Sequence, residues 1–394
     1  MKGSDKRTVC IVTGTRAEYG LLHRVIEHLK SSKFELKLVV TGSHLSKKYG
    51  LTYHEILKDG HEIDEKIDID LQSDTQLAIG KSLAKAVERF TIYFDDSKPD
   101  IVLILGDRYE MLGVASAATV CRIPIAHIHG GENTVGVIDE AIRHSITKMS
   151  HFHFVSTAEY RNRVIQLGEN PSRVFNVGSL GVDNSLQVEL LSKEEVEKAI
   201  GTSFKKNNIL ITYHPETLKK QINKDIKSTI DALDTIENAL LIFTAPNADI
   251  GSEIILSSIK KYVKQNQGKA IFFESLGHLL YLSCLKFVDC VVGNSSSGII
   301  EVPSFKIPTI NIGDRQKGRI SAKSVIHSLP IFNSLCDAFQ QVYNHEMNYN
   351  MKNIYNPYQK ENTAEEIVNI LGTVSLDKVL YKQFLFFIFF NILL

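Results

Sequence analysis

Three carboxylates in the first half of the chain stand where a parallel sheet would present them to a substrate. Asp107 and Glu132 directly follow short apolar runs, and Asp139 lies a little further on. Carboxylates that are held close together or partly buried can have their pKa values pushed apart, which equips one as a base and another as an acid. Singly, each could be a helix cap or an ion-pair partner, as Asp107 could be for Arg108. Taken with His214 from the second half, the set predicts acid–base catalysis.

The segment G-N-S-S-S-G-I-I-E at 293–301 is the strongest single motif. Small residues after a buried strand let backbone N–H groups point at an anion, and a following helix adds its positive dipole end. Ser295 and Ser296 could donate hydroxyl hydrogen bonds to a phosphate. Glu301, about two turns into that helix, could accept hydrogen bonds from ribose hydroxyls. The alternative is a capped helix with a solvated, serine-rich start.

A glycine-containing turn, T-G-T-R-A-E-Y-G at 13–20, follows the first predicted strand and opens a helix that carries Arg16. It lacks the G-x-x-x-x-G-K-[ST] of a P-loop and the glycine spacing of a dinucleotide-binding fingerprint. The second strand ends without the acidic residue that an NAD ribose needs, so a Rossmann oxidoreductase is disfavoured. Arg16 either neutralises a phosphate or is an ordinary arginine on a helix surface.

Two histidine pairs require a metal site to be considered. His127 and His129 form an H-x-H pattern at a strand end, and His151 and His153 repeat it. Spacing alone supplies no third ligand, and the donor-rich glycines that follow His129 explain its position without a metal. We expect no metal and no required cofactor.

The elements that must position these residues form two sets of short, apolar, β-branched runs, each followed by a helix-like stretch. Continuous rather than alternating hydrophobicity predicts strands buried on both faces, as in a parallel sheet covered by helices. The sequence therefore predicts an α/β fold of two doubly wound, Rossmann-like domains facing a cleft. The predicted strands are Val9–Thr13, Leu36–Thr41, Ile101–Leu105, Ile125–Ile128, Phe152–Ser156 and Val174–Val177, and then Ile209–Tyr213, Leu240–Thr244, Ala270–Glu274, Val288–Val292 and Thr309–Ile312.

The predicted domain boundaries follow a polar, helical stretch near residues 185–205. We assign residues 1–185 to an N-terminal domain with the acid–base carboxylates, and residues 186–375 to a C-terminal nucleotide-binding domain. The apolar tail at 376–394 is too short to span a bilayer, for which about 20 residues are needed. It could dock on the body, touch a membrane, or be a frame-shifted stretch without selected structure; we expect it to be irrelevant to the chemistry and to promote aggregation.

Composition excludes several classes of protein. The chain has 394 residues, with 45 Lys and Arg against 45 Asp and Glu, so its net charge of zero provides no global field for nucleic acid. The five cysteines show no C-x-x-C pair and lie mostly in apolar runs, which indicates buried thiols in a reducing compartment. We expect a cytoplasmic protein without a signal peptide and without stable membrane insertion.

Taken together and in order, these motifs resemble the hydrolysing UDP-N-acetylglucosamine 2-epimerases of sialic acid biosynthesis. The resemblance covers residues 8 to about 320. It implies a glycosyltransferase-B-like fold, a UDP-sugar substrate, and a homodimer or homotetramer. The motifs that carry it are T-G-T-R-A-E-Y-G, G-S-H-L, K-P-D-I-V-L-I-L-G-D-R, H-I-H-G-G-E, I-R-H-S-I-T-K-M-S-H, H-P-E-T, G-N-S-S-S-G-I-I-E-V and I-N-I-G-D-R-Q-K-G-R.

The resemblance also implies a reaction and a set of site residues. UDP-N-acetylglucosamine loses its C2 proton and UDP, giving a 2-acetamidoglucal; water then adds at C1 and a proton returns to C2 from the other face, yielding N-acetylmannosamine. The implied acid–base groups are Asp107, Glu132 and Asp139, with His214 facing the leaving diphosphate. The implied binding residues are Arg16, His44, Arg108, His129, Arg143, Asn294, Ser295, Ser296, Glu301 and Arg315.

One position departs from the family pattern, and the substrate and the class of activity stay open. Some members of the family carry H-I-E-G-G-E where this chain has H-I-H-G-G-E, so either Glu132 or His129 takes the role of that carboxylate; we favour Glu132. The same chemistry would serve UDP-N,N'-diacetylbacillosamine on the way to legionaminic acid, and the base could be UDP or GDP. Because one fold can host several functions, a glycosyltransferase of the same architecture and a catalytically silent nucleotide-sugar-binding regulator are also compatible with these motifs.

Overall fold

A computed structural model describes residues 6–71, 75–133, 138–216, 221–246, 251–344, 351 and 353–384. The chain divides into two compact units. The first comprises Met1–Asp183 together with Lys360–Leu394, and the second comprises Asn184–Gln359.

The first unit is built on a seven-stranded sheet whose pairings are all parallel, in the order β3-β2-β1-β4-β5-β6-β7. Its strands are β1 Thr8–Thr13, β2 Glu35–Thr41, β3 Glu65–Ile67, β4 Ile101–Leu105, β5 Ile125–Ile128, β6 Phe152–Val155 and β7 Val174–Asn176. Its helices are α1 Arg16–Lys30, α2 Tyr53–Lys58, α3 Gln76–Ser97, α4 Tyr109–Val120, α5 Asp139–Met149, α6 Ala158–Gln166 and α7 Leu180–Gln187, which contains the unit boundary. Apolar side chains cover both faces of the sheet, and the strand order reverses between β1 and β4.

The second unit has a six-stranded parallel sheet in the order β10-β9-β8-β11-β12-β13. Its strands are β8 Asn207–Thr212, β9 Ala239–Thr244, β10 Ala270–Phe273, β11 Cys290–Gly293, β12 Thr309–Ile312 and β13 Val325–Ser328. Its helices are α8 Lys193–Ile200, α9 Ile222–Asp234, α10 Ser252–Gln265, α11 Gly277–Cys284, α12 Ser297–Ile300 and α13 Phe332–Val342. The two predicted doubly wound sheets are confirmed. Sequence patterning missed the edge strands β3 and β13, because neither is a continuous apolar run.

The predicted domain division is wrong at its C-terminal end, since residues from Lys360 onward belong to the first unit and not to the second. Helix α14, Thr363–Thr373, buries Ile367 and Leu371 in the same apolar core as Leu22 of α1. The hydroxyl of Thr363 donates to the carbonyl of Val177 at 2.7 Å. A chain that returns to an earlier unit leaves no signal in local periodicity, which is why the sequence placed α14 with its neighbours in the chain.

The first residues of the predicted tail dock on the first unit. Val379 is buried in its core, and its carbonyl accepts a 3.0 Å hydrogen bond from Arg173 Nη1. Lys382 Nζ donates to the carbonyls of Lys148 and Ser150 at 2.7 and 2.6 Å. Residues 385–394 lie outside the described residues. Within the described part of the chain, no helix combines the length and apolar character needed to cross a membrane.

Candidate active site

The reversal of strand order between β1 and β4 locates a candidate site in the first unit. In open parallel sheets, ligands bind beyond the carboxyl ends of the strands at such a switch point. The loops after β1, β4 and β5 begin at Gly14, Gly106 and His129 respectively. These loops carry most of the residues that the sequence singled out in this half of the chain.

Arg143 of α5 joins the loop after β4 to the loop after β5. One of its guanidinium nitrogens, Nη2, pairs with Asp107 Oδ2, and the other, Nη1, donates to the carbonyl of His129 at 2.8 Å. The Arg143 side chain is 5% exposed and that of Asp107 is 19% exposed. A buried guanidinium with two partners fixes the direction of the carboxylate and stabilises its charge. The Asp107 carboxylate is therefore held in one orientation at the carboxyl end of β4.

Glu132 and His129 lie together after β5. Ser156 Oγ donates to Glu132 Oε1 at 2.8 Å, and His129 Nδ1 lies 3.8 Å from the same oxygen. His129 adopts a φ of 64°, in the left-handed region that non-glycine residues rarely occupy. Gly131 is required behind it, because a Cβ there would lie 2.7 Å from the carbonyl oxygen of Tyr160. The turn thus brings a carboxylate and an imidazole to one point at the sheet edge.

The other histidine of the H-x-H pair holds the backbone. His127 Nε2 is 2.7 Å from the carbonyl oxygen of Gly106, so this nitrogen carries the proton, and Nδ1 is 3.3 Å from Thr147 Oγ1. Burial lowers the pKa of His127 to about 3, so the ring is neutral at pH 7. With both nitrogens in contact with protein atoms, His127 ties β5 to the loop after β4. The expectation that no metal is needed stays a prediction.

Asp139 is the first residue of α5, one helical turn before Arg143. Negative charge at a helix N-terminus is stabilised by the helix dipole. The structure therefore places Asp139 on the helix that orients Asp107. The four residues before Ile138 lie outside the described residues, so the role of Asp139 as an acid–base group stays a prediction.

His44 and Arg16 flank the loop after β1 in different environments. His44 is fully buried, with its Nε2 3.1 Å from Thr13 Oγ1 and its Nδ1 2.9 Å from Thr52 Oγ1. Burial lowers the pKa of His44 to about 4, so it anchors the end of β1 as a neutral ring. Arg16 has a side chain that is 71% exposed, and its Nε lies 2.9 Å from Glu55 Oε2. Contacts of both with substrate stay predictions.

Sequence reasoning missed two buried glutamates at this edge, Glu18 and Glu110. Arg108, which was predicted to bind substrate, has its Nε 2.6 Å from Glu110 Oε1 and 3.9 Å from Glu18 Oε1. Glu18 stands in the T-G-T-R-A-E-Y-G motif, and Glu110 lies two residues after the K-P-D-I-V-L-I-L-G-D-R motif. The available signal was that each occupies the first turn of a helix that follows one of the two strands at the switch point.

In the second unit, Asn294 joins the loop after β11 to the loop after β8. His214 donates its backbone N–H to Asn294 Oδ1 at 2.7 Å, and Asn294 Nδ2 donates to the carbonyl of His214 at 2.8 Å. Arg315 Nη1 donates to the Asn294 carbonyl at 3.0 Å. Burial, and then the charge of Arg315, lowers the pKa of His214 to about 4. A neutral imidazole and a guanidinium are thus held beside one loop.

The serine motif differs from the prediction in one respect. Helix α12 spans only Ser297–Ile300, and Glu301 is its C-terminal cap rather than a residue two turns inside it. The chain continues as a 3-10 turn, Val302–Phe305, because Pro303 cannot donate a helical hydrogen bond. So short a helix has a weak dipole, and any anion here must be held mainly by the hydroxyls of Ser295 and Ser296, which are partly exposed, and by backbone N–H groups. Burial raises the pKa of Glu301.

Comparison with known proteins identifies the family. Residues 27–372 match the family described as UDP-N-acetylglucosamine 2-epimerase. The chain is 45% identical to the GDP/UDP-N,N'-diacetylbacillosamine 2-epimerase (hydrolyzing) of Campylobacter jejuni subsp. jejuni, over 97% of this chain and 99% of that protein. It is 41% identical to polysialic acid biosynthesis protein P7 of Escherichia coli, over 93% of each.

The fold matches a solved structure of UDP-GlcNAc 2-epimerase from Neisseria meningitidis bound to UDP-GlcNAc. The TM-score is 0.74 at 20% sequence identity, covering 93% of this chain and all of that one. At this identity the match concerns the fold, and it confirms the predicted class of two Rossmann-like, glycosyltransferase-B-like domains. The resemblance drawn from the sequence motifs is likewise confirmed by the two relatives. The chain belongs to the family of hydrolysing UDP-N-acetylglucosamine 2-epimerases.

Proposed function

We propose that this protein converts UDP-N-acetylglucosamine and water to N-acetylmannosamine and UDP, and so supplies sialic acid biosynthesis. The observation that carries the proposal is the cluster after β4 and β5, where Arg143 binds both Asp107 and the His129 carbonyl and Glu132 lies beside His129. Epimerisation at C2 needs a group that takes a proton from one face of the ring and a group that returns one to the other face. Two ordered carboxylates supply such a pair.

The proposed reaction proceeds in two steps. A base takes the C2 proton, the C2–H electrons form the C1–C2 double bond, and the C1–O electrons leave with UDP, giving a 2-acetamidoglucal. Water then adds its oxygen to C1 and gives one of its protons to a carboxylate acting as base, while an acid protonates C2 from the opposite face. We assign acid–base roles to Asp107, Glu132 and Asp139. Asp107, whose charge Arg143 stabilises, is the proposed base of the first step.

We assign stabilisation of the leaving diphosphate to the second unit. Groups placed where charge develops lower the barrier without themselves reacting. Arg315 is a fixed cation, and His214 is neutral at pH 7, so it donates a hydrogen bond rather than a charge. Ser295 and Ser296 add hydroxyl donors. We propose that these groups stabilise the leaving diphosphate without a metal and that no cofactor is required; full activity after dialysis against a chelator is the expected result.

One test concerns the acid–base role after β5. We expect Glu132→Gln to lower kcat by about 100-fold, because the amide can hold the Ser156 hydrogen bond but cannot exchange a proton. We expect His129→Ala to lower kcat by much less than Glu132→Gln does. Near-normal turnover by the glutamine variant, with activity lost in the alanine variant, would transfer the role to His129.

A second substrate is favoured by one observation, the 45% identity to a Campylobacter protein named for N,N'-diacetylbacillosamine. That sugar also carries a 2-acetamido group, so the same two steps apply to it. The relative named for polysialic acid biosynthesis, at 41%, favours N-acetylglucosamine. The family assignment leaves the glycosyltransferase and the silent regulator without support.

Proton NMR in D₂O tests these proposals. The enzyme is given UDP-N-acetylglucosamine, UDP-N,N'-diacetylbacillosamine or its GDP analogue, in separate tubes. Free UDP together with N-acetylmannosamine deuterated at C2 supports the first proposal. Turnover confined to the diacetamido sugars would identify them as the substrates instead. Release of UDP with N-acetylglucosamine that carries no deuterium at C2 contradicts epimerisation. Size-exclusion chromatography with light scattering tests the proposed homodimer or homotetramer.

A further inference from the structure

Two buried carboxylates lie under the Gly14 loop, at the point where the strand order reverses. Glu18 stands in the first turn of α1 and Glu110 in the first turn of α4, and these helices follow the adjacent strands β1 and β4. Glu110 is fully buried and Glu18 is 6% exposed. Buried carboxylates are rare unless they are paired, so their position requires an explanation.

Both carboxylates contact the same glycine. A Cβ on Gly14 would lie 3.0 Å from Glu110 Oε1 and 3.3 Å from Glu18 Oε2. The Gly14 N–H donates to Glu18 Oε2 at 2.7 Å. A side chain at this position would crowd both carboxylates and require them to shift, so the Gly14 loop packs closely on the pair.

The charges at this point do not balance if both groups are ionised. Arg108 Nε lies 2.6 Å from Glu110 Oε1 and 3.9 Å from Glu18 Oε1, and one guanidinium balances one carboxylate. Among the described residues, Glu18 Oε1 and Glu110 Oε2 are buried without a hydrogen-bond partner. A buried charge with no partner of its own is costly, and such a group becomes neutral instead.

We propose that Glu18 is neutral while Glu110 is the carboxylate that pairs with Arg108, and that this arrangement positions Arg108 and the Gly14 loop next to Asp107 for the elimination step. The inference rests on the proposed function. Arg108 is adjacent to Asp107 in the chain, so its bond to Glu110 fixes the turn that presents the proposed base. Glu18 and Glu110 are positioning residues, since their oxygens are enclosed by protein.

Ionisation of Glu18 sets an upper pH limit for this arrangement. Burial, and then the charge of Glu110, raises the pKa of Glu18 to about 8. The charged and titratable groups around it are Arg108 and Glu110, with Tyr109 beside them on α4. His44, whose backbone N–H donates to the Gly14 carbonyl, has a neutral ring. Above this pH a second negative charge competes for Arg108. The turn carrying Asp107 then loosens, so kcat falls while KM changes little.

Glu18→Gln is the direct test, because its amide oxygen can still accept from Gly14 while the side chain stays neutral at every pH. We expect its kcat at pH 7 to stay within about threefold of the wild type, and the alkaline fall near pH 8 to move up by at least about one pH unit. Glu27→Gln is the matched control, on the same helix with a side chain that is 56% exposed, and should keep the wild-type profile.

Glu110→Gln tests the other partner. Arg108 can then still donate to the amide oxygen but loses its charged partner, which holds it less firmly, so kcat should fall about tenfold at every pH. An alkaline fall that persists unchanged in Glu18→Gln overturns the proposal that Glu18 is neutral and sets the upper pH limit. So does a Glu18→Gln variant that is inactive at pH 7, because an ionised Glu18 would then be needed.

A measurement without turnover separates this inference from the proposed function. Infrared difference spectra between wild type and Glu18→Gln at pH 7 should contain the carbonyl band of one neutral carboxylic acid. If that band is present but no sugar nucleotide is turned over, the neutral Glu18 stands and the proposed function fails. If the band is absent while UDP and C2-deuterated sugar are released, the function stands and the neutral Glu18 is refuted.

Discussion

At the scale of single residues, Arg143 decides how Asp107 is presented. Its guanidinium binds the Asp107 carboxylate with one nitrogen and the His129 carbonyl with another. Arg143→Lys keeps the charge but cannot reach both partners, because an ammonium is a single point of donation. We expect kcat to fall by about 100-fold in this variant, the cost of misplacing a reacting group by about 1 Å, with a smaller change in KM.

Steady-state kinetics of Arg143→Lys and Arg143→Met check this expectation. If the two-nitrogen geometry of Arg143 matters more than its positive charge, kcat falls to a similar extent in both variants. A lysine variant with wild-type kcat would show instead that the nearby positive charge alone is enough.

The sequence was enough to predict site residues that directly follow a strand. It was not enough to predict site residues whose role depends on packing between distant parts of the chain. Asp107 was identified because it follows the end of a predicted strand, where a parallel sheet presents residues to a substrate. Glu18 was overlooked because a glutamate in the first turn of a helix is ordinary at a solvated surface. Only the approach of β1 to β4 makes Glu18 a buried neighbour of Glu110, and that approach is a property of the sheet order.

At the scale of elements, the same distinction separates the strands that were predicted from those that were missed. Central strands such as β4 are buried on both faces and read as continuous apolar runs. The edge strand β3 reads Glu65-Lys66-Ile67, with one buried residue, and resembles a loop. The length of α12 was also missed, because Pro303 ends it from a position that the serine motif does not include.

The segment after α14, residues 374–384, packs against the first unit. The first part of the predicted tail therefore contributes to the folded unit. Lys382 Nζ donates to two carbonyls at the end of α5 and to Glu169 Oε1 at 3.0 Å. Glu169 also lies 3.1 Å from buried His153. We expect Lys382→Met to lower the free energy of unfolding by about 2 kcal/mol, since three acceptors lose a charged donor.

Chemical denaturation of Lys382→Met beside Lys378→Met measures this effect. Lys378 is exposed on the same segment and serves as the control, with no change expected. Equal stabilities of the two variants would mean that the Lys382 contacts contribute nothing net, as many exposed ion pairs do.

At the scale of the whole molecule, buried neutral histidines set the acid limit of stability. Burial lowers the pKa of His44, His151 and His214 to about 4. In the unfolded chain these groups bind a proton near pH 6.5. Their contribution to stability is therefore complete above about pH 6.5 and is lost as the pH falls toward 4, by about 1.4 kcal/mol per group and pH unit.

Thermal melts between pH 7 and pH 4 test this limit. We expect Tm to fall steadily below about pH 6.5, and to fall less steeply in His151→Asn, whose amide oxygen can accept the Ile125 N–H that His151 Nδ1 now accepts. His54→Gln, at an exposed position, is the control. A Tm that does not change down to pH 5 would show that these rings are protonated in the folded protein.

The division into units predicts which part of the chain folds alone. Residues 184–359 are one continuous segment with apolar cores of their own on both faces of the sheet. Residues 1–183 lack α14, so the face of α1 that buries Leu22 and Ile26 would be exposed to water. We expect the fragment of residues 184–359 to melt cooperatively. We expect the fragment of residues 1–183 to bind a hydrophobic dye and to melt without a cooperative transition. Co-expression of residues 360–394 should restore the transition, because α14 covers that face. Cooperative melting of residues 1–183 alone would contradict the assignment of α14 to the first unit's core.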